Sequence, residues 1–247
     1  MIALKDKKVI ITGGGRGIGR AIALAFAKEG ADICVTARTH SEIENVAKEI
    51  RQLGRKSLAI PADVTNEKDV KQVVQKTIAT FGRVDILVNN AGGGLESKPI
   101  IKSNPGFWIK TIEVNLIGTY LFSRLVLPQM IKNQGGKIIN IGSGMGHRAH
   151  SLIGNSAYSA AKAAVWMFTQ SLAMEVWRYG IEVNEIVPGP VETLLTKKTF
   201  HLGKPVPFAE SERVKSPDEV APLAVYLAAQ PKKGPTGQYF SLARRPL

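Results

Sequence analysis

Apolar runs of four to six residues alternate along this chain with amphipathic stretches of ten or more. The runs at 8–11, 32–36, 57–60, 86–88, 137–141 and 181–187 are rich in Val and Ile and show little polar alternation. Strands of that kind are covered on both faces, as in a parallel sheet. Between them, helical patterns are read at 17–29, 41–53, 67–81, about 107–132 and 156–179. A last helix, 217–228, opens with Ser216-Pro217-Asp218-Glu219, an N-cap followed by proline and two acids. Strand and helix in repeated alternation predict βαβ units and a doubly wound parallel sheet, α/β in class and three-layered (α/β/α). No linker, repeat or low-complexity tract interrupts the pattern, so residues 1–247 are expected to form a single domain.

Composition narrows the class. The chain is 44% apolar and 21% charged, ordinary for a globular protein. No apolar run approaches the roughly 18 residues of a membrane span, and MIALKDKK lacks the apolar core of a signal peptide. A cytoplasmic protein without a membrane partner is the expectation. One cysteine, Cys34, excludes an internal disulfide and a cysteine-rich metal site. The four histidines show no metal-binding spacing, so no metal is expected. The net charge of +13 would suit a nucleic acid, an acidic protein or an anionic small molecule. The basic residues are scattered and not interleaved with aromatics, which favours a solvated basic surface over a nucleic-acid site.

Chemistry enters with TGGGRGIG, residues 12–19, which packs five glycines into eight positions at the end of the first strand. The spacing is not G-x-G-x-x-G; it is G-x-x-x-G-x-G, using Gly13, Gly17 and Gly19. Glycines where a strand turns into a helix let an anion approach backbone N–H groups and the positive end of the helix dipole. A merely tight turn is the competing reading.

Further motifs follow: NNAG at 89–92, Ser143 after a strand, YSAAK at 158–162 and VPGPVET at 187–193. In order and spacing they resemble the short-chain dehydrogenase/reductase family, from the first strand to about Gly237. The resemblance implies a Rossmann-type fold that binds NAD(H) or NADP(H) and moves a hydride between nicotinamide and a carbonyl or secondary alcohol. It implies Tyr158 as general acid/base and Lys162, four residues on and on the same helix face, as the cation that lowers the phenol pKa and holds the ribose. Ser143 would hydrogen-bond the substrate oxygen. Asn115 would support a proton relay, or else bend its helix or satisfy the core. The implied cofactor site comprises Gly13, Arg16, Gly17, Ile18, Gly19, Arg38, Asp63, Val64, Asn90, Ala91, Gly92, Tyr158, Lys162, Pro188, Gly189, Val191 and Thr193, with a substrate loop at about 190–216.

An acid at the end of the second strand reads the ribose 2′-hydroxyl of NAD, whereas arginine suits a 2′-phosphate. Here Ala37 and Arg38 stand there, with Arg16 in the glycine loop, so NADP(H) is preferred and NAD(H) stays possible. Two solvated surface arginines are the alternative. The relatives' habit of pairing long helices implies a homotetramer. A 3-oxoacyl-(acyl carrier protein) reductase, with an acidic carrier protein as partner, stays open, as does a nucleotide-sensing protein without turnover.

Three features depart from the family. Fifteen residues separate Ser143 from Tyr158, slightly more than usual, and His147 in that loop is read as a surface side chain that could instead touch substrate. Glu185 stands in a buried strand and needs a partner that the sequence does not name. The chain ends in Arg244-Arg245-Pro246-Leu247, which either reaches a neighbouring subunit or frays into solvent.

Overall fold

The computed structural model describes residues 2–147, 152–197, 199–206 and 209–244. Strands β1 (Lys8–Thr12), β2 (Asp32–Ala37), β3 (Ser57–Pro61) and β4 (Ile86–Asn89) are linked in turn by helices α1 (Gly17–Lys28), α2 (His40–Gln52) and α3 (Glu67–Phe81). Helices α4 (Pro105–Ile112) and α5 (Gly118–Lys132) then lead to β5 (Gly136–Ile141). Helix α6 (Ser156–Val176) leads to β6 (Ile181–Val187). A small antiparallel pair, β7 (Pro205–Val206) and β8 (Ala209–Arg213), precedes α7 (Ala221–Ala229) and β9 (Tyr239–Ser241).

Seven strands make one parallel sheet in the order β3-β2-β1-β4-β5-β6-β9. Successive strand residues feed opposite cores. Val9, Ile11, Ile33, Val35, Ile139 and Ile186 pack under α1, α2 and α7. Ile10, Cys34, Leu87, Ile138 and Val183 pack under α3, α5 and α6. Both faces are thus buried, which is why the strand runs carry so little polar alternation.

The predicted strands are present with ends shifted by a residue or so. The helix read to 179 passes into a 3-10 turn after Val176, and the one read from 217 opens as a 3-10 turn before α7 begins at Ala221. Two regions differ more. The helix expected over about 107–132 begins at Pro105, where Asn104 caps it by accepting from the N–H groups of Gly106 and Phe107. It is then broken by a π-helical segment at Glu113–Ile117, whose consequence for the site is described below. The 190–216 region holds the unforeseen β7–β8 pair: β7 is two residues long and β8 reads AESER, without the Val/Ile run that marked the other strands. It leaves and rejoins the body at one point, where Val191 bridges Lys215.

Sheet order reverses between β1 and β4. In open α/β sheets, ligands bind at such a switch point, beyond the carboxyl ends of the strands. Every segment with candidate chemistry follows the carboxyl end of a strand, or faces that edge from α5 or α6. A line of polar groups stitches the layers beneath: Asn89 Nδ2 donates to Ser123 Oγ (3.1 Å) and Asn140 Oδ1 (2.9 Å), and Asn140 Nδ2 donates to Thr169 Oγ1 (2.9 Å). These side chains are buried, and each bond spares a polar atom the cost of losing water. Among the described residues, no helix is long and apolar enough to cross a membrane.

Candidate active site

The glycine loop is shaped by close approach. Gly13 (φ +62°) and Gly17 (φ +55°) adopt left-handed backbone that side chains disfavour. A side chain at Gly19 would overlap the Asn90 amide and the Gly13 carbonyl. Asn90 explains that crowding: its Nδ2 donates to Thr12 O (2.9 Å) and Gly13 O (3.1 Å), tying the end of β4 to the loop. The Asn90 side chain thus holds the cradle rather than pointing into it. Helix α1 begins just after Arg16 with no side-chain cap and no acid in its first turn, so its first N–H groups and dipole face the cradle uncompensated. Thr193, from the segment after β6, lies against Gly17 and closes the cradle from the far side.

Around the rim, Arg38 is exposed at the end of β2. Arg16 is exposed too, but its Nη1 pairs with Glu42 Oε1 at 3.0 Å, so one of the two expected cations is already partnered. Burial would raise the Asp63 pKa, yet hydrogen bonds from Thr65 and the charges of Lys110 and Arg38 hold it below the usual carboxylate range. The Val64 side chain turns into the core against Gly118, leaving its backbone at the rim. Pro188 and Val191 are buried and Gly189 sits at φ +69°, giving the chain a tight turn as it leaves β6.

The π segment places Asn115. Its Oδ1 accepts from Gly93 N (3.1 Å) while Nδ2 donates to Gly93 O (2.9 Å) and Thr111 O (2.8 Å). Asn115 therefore bends the helix and clamps the loop after β4 at once, and π turns are often found at functional sites. Gly92 passes between this amide and Lys162 Nζ, where a side chain would overlap Asn115 Oδ1.

Tyr158 and Lys162 share one face of α6, and Ser143 faces them from the end of β5. Lys162 is 5% exposed, and its Nζ donates to Ile141 O at 2.7 Å and lies 5.7 Å from the Tyr158 ring centroid. Burial lowers the Lys162 pKa to about 8, and the charge of Glu185 opposes the fall. Contrary to the sequence expectation, the Tyr158 pKa is raised: burial pushes the phenol up, a Ser143 hydrogen bond resists, and Glu185 adds to the rise. Tyr158 is thus held as the neutral phenol at neutral pH.

His147 corrects a second expectation. It is not a surface residue: its side chain is 6% exposed, with Nε2 3.0 Å from Glu185 Oε1. Glu185 therefore has its partner, one that 38 residues of separation had hidden. Cys34 is buried with its thiol pushed up to about 12 by burial, so it is unreactive. No group of residues that could hold a metal occurs among the described residues. Arg244 is exposed, and residues 245–247 lie outside the described residues.

Fold and site together define a Rossmann-type oxidoreductase. A family model described as short chain dehydrogenase matches residues 7–202. An uncharacterized oxidoreductase of Staphylococcus aureus (strain USA300) is 35% identical over 233 residues, covering 94% of this chain and 95% of that protein. One from Mycobacterium tuberculosis is 36% identical over 234 residues, covering 93% and 88%. The crystal structure of a short-chain type dehydrogenase/reductase from Mycobacterium marinum superposes with TM-score 0.87 at 30% identity, covering 97% of this chain and 95% of that one. That of a levodione reductase gives 0.88 at 27% identity, covering 97% and 96%. The chain belongs to the short-chain dehydrogenase/reductase family, whose members use nicotinamide cofactors.

The buried ammonium carries a stability signature. Lys162 titrates at about 8 in the fold against 10.5 for a free lysine. Between those values the unfolded chain binds the extra proton, so stability rises with pH. Wild type should therefore gain stability relative to Lys162→Met as pH goes from about 8 to above 10, measured by urea unfolding. A constant difference across that window would contradict the assigned titration.

Proposed function

We propose that the protein is an NADP(H)-dependent carbonyl reductase in which Tyr158 is the proton donor. The observation that carries this reading is the convergence of Ser143, Tyr158 and a buried Lys162 on one edge of the sheet, beside the glycine cradle. The cradle suits a dinucleotide: two left-handed glycines, an uncapped helix N-terminus and Thr193 against Gly17 would let a pyrophosphate approach backbone N–H groups.

In this reading the backbone of Gly13, Gly17, Ile18 and Gly19 holds the pyrophosphate, with Arg16 at the loop edge. Asp63 and Val64 flank the adenine. Asn90, Ala91 and Gly92 form the floor, and Pro188, Gly189, Val191 and Thr193 border the nicotinamide. Bound there, the cofactor supplies the hydride. Ser143 orients the substrate oxygen, Tyr158 gives it a proton as negative charge develops, and Lys162 holds the ribose and stabilises the tyrosinate left behind. Asn115 keeps the floor loop and helix in register beside Lys162. The raised Tyr158 pKa keeps the phenol protonated, and so available as the acid, at neutral pH.

Tyr158→Phe keeps the ring and removes only the proton donor. Turnover in an NADPH-consumption assay should fall at least about a hundredfold, while NADPH binding followed by fluorescence persists. The panel should hold ketones, β-keto esters, oxoacyl thioesters and levodione, the last because one structural neighbour reduces it by name. Turnover within tenfold of wild type would remove Tyr158 from the mechanism.

Cofactor choice rests on Arg38, since Glu42 engages Arg16. Ala37→Asp with Arg38→Ile exchanges attraction of a 2′-phosphate for repulsion and should move kcat/KM toward NADH. A wild type that already prefers NADH would refute the NADP(H) assignment.

The same family logic suggests a homotetramer. Phe107, Ile109, Ile117, Tyr120, Met167 and Met174, from the α4–α6 region, are all exposed. Light scattering at micromolar concentration should give a multiple of the 26.7 kDa chain, and a monomer mass would refute assembly.

A further inference from the structure

A buried acid and a buried imidazole that the mechanism does not use meet beside the reacting groups. Glu185, on β6, is fully buried, and His147 lies in the turn that begins at Ser143. That turn sits directly on α6, because a side chain at Gly146 would run into the Lys162 backbone. Gly142, between Ile141 and Ser143, has no side chain for an equally direct reason: one there would overlap the Glu185 carboxylate. The imidazole is wedged between rings, its centroid 5.2 Å from Trp166 on α6 and 4.6 Å from Tyr239 on β9. Three elements and a glycine thus make room for an acid and an imidazole in a place where an apolar side chain would be the ordinary occupant.

We infer that His147 and Glu185 are a positioning pair: held by the imidazole, the carboxylate pins the Ser143 turn to β6 and keeps Lys162 and Tyr158 protonated for transfer to a carbonyl oxygen. The inference rests on the proposed function, in which Tyr158 and Lys162 do the chemistry.

The electrostatics give the pair its direction. Among the described residues, the titratable groups facing Glu185 are His147 from the turn, Lys162 and Tyr158 from α6, and the Tyr239 phenol from β9; its β5 neighbour, Asn140, is neutral. A lone ammonium in this setting would shed its proton, and a lone carboxylate would take one up. Burial raises the Glu185 pKa, and the hydrogen bond and charge of His147 and the charge of Lys162 oppose the rise. The carboxylate in turn supports the Lys162 ammonium and disfavours tyrosinate at Tyr158. Both effects have the same sign. They favour the state in which a proton can be given away.

The test uses Glu185→Gln, which keeps shape and removes charge, and His147→Phe, which keeps the ring stack and removes the donor to Glu185. In the reduction direction, the alkaline limb of the kcat/KM–pH profile should move to lower pH by about one unit in either variant. The double variant should move it no further, because each single change already disables the pair. A merely structural role would lower the rate without moving the limb, and that result overturns the inference. A second readout needs no turnover: NMR of protein carrying ε-13C lysine, with Lys162 assigned through Lys162→Arg. The Lys162 midpoint, about 8 in wild type, should drop in Glu185→Gln. An unmoved midpoint overturns the inference whatever the activity. A midpoint that drops in a protein reducing no carbonyl supports the pair and removes the proposed function instead. If Glu185→Gln does not fold by circular dichroism, His147→Phe carries both readouts with the same expected shifts.

Discussion

An ammonium has been placed where water barely reaches it, and the rest of the site is arranged around that constraint. Lys162 Nζ gives a 2.7 Å hydrogen bond to Ile141 O, at the carboxyl end of β5. That bond locks α6 onto β5 and fixes the height of Tyr158, one helical turn earlier. A buried cation is tolerated only where it is paired and hydrogen-bonded. The compensating charge is that of Glu185 on β6, which acts through space against the fall in the Lys162 pKa, so two strands and a helix are committed to one charge. Gly92 has no side chain because Asn115 and Lys162 crowd it, and Gly146 has none because the Ser143 turn lies on the lysine backbone.

The helical break at Glu113–Ile117 belongs to the same arrangement. A straight helix from α4 through α5 would satisfy its own backbone and leave Asn115 as one more core amide. With the π turn, the Asn115 side chain grips both the N–H and the carbonyl of Gly93 while its own backbone carbonyl accepts from Thr119 Oγ1 at 2.8 Å. The loop after β4 thereby becomes a rigid floor. Asn90 does the equivalent work on the glycine loop. Two asparagines on backbone carbonyls thus hold the cradle, and a preorganised site need not be reorganised when charge develops in it.

Charge outside the site follows different rules. Many surface arginines are paired, as Arg20 with Glu49 and Arg124 with Glu67, in solvent-exposed contacts worth little to stability. The excess of basic residues therefore says little about the fold. At the cradle rim it has more meaning: Glu42 engages Arg16, and Arg38 remains exposed at the end of β2. A guanidinium there, whose charge also acts on Asp63, can offer an anionic group two charge-assisted hydrogen bonds.

Much was legible in the sequence, because it is written in short-range periodicity and turn chemistry. Val/Ile runs between amphipathic stretches determined the parallel sheet, and glycine clustering located the first turn before any residue was placed in space. TGGGRGIG, Ser143 and YSAAK marked the candidate site, since residue type and local spacing alone put Tyr158 and Lys162 on one helix face. Only the tertiary structure decided which backbone groups Asn90 and Asn115 hold, where the long helix breaks, and why Glu185 is tolerated. Its partner His147 lies 38 positions away and on a different element, joined to it by the pairing of β5 with β6. The phenol's raised pKa was illegible for the same reason: a four-residue spacing shows that a cation is near, but burial and a distant carboxylate set the balance. Periodicity and turns act over a few residues and survive in a linear reading; desolvation and charge pairing act through space and exist only once the chain has folded.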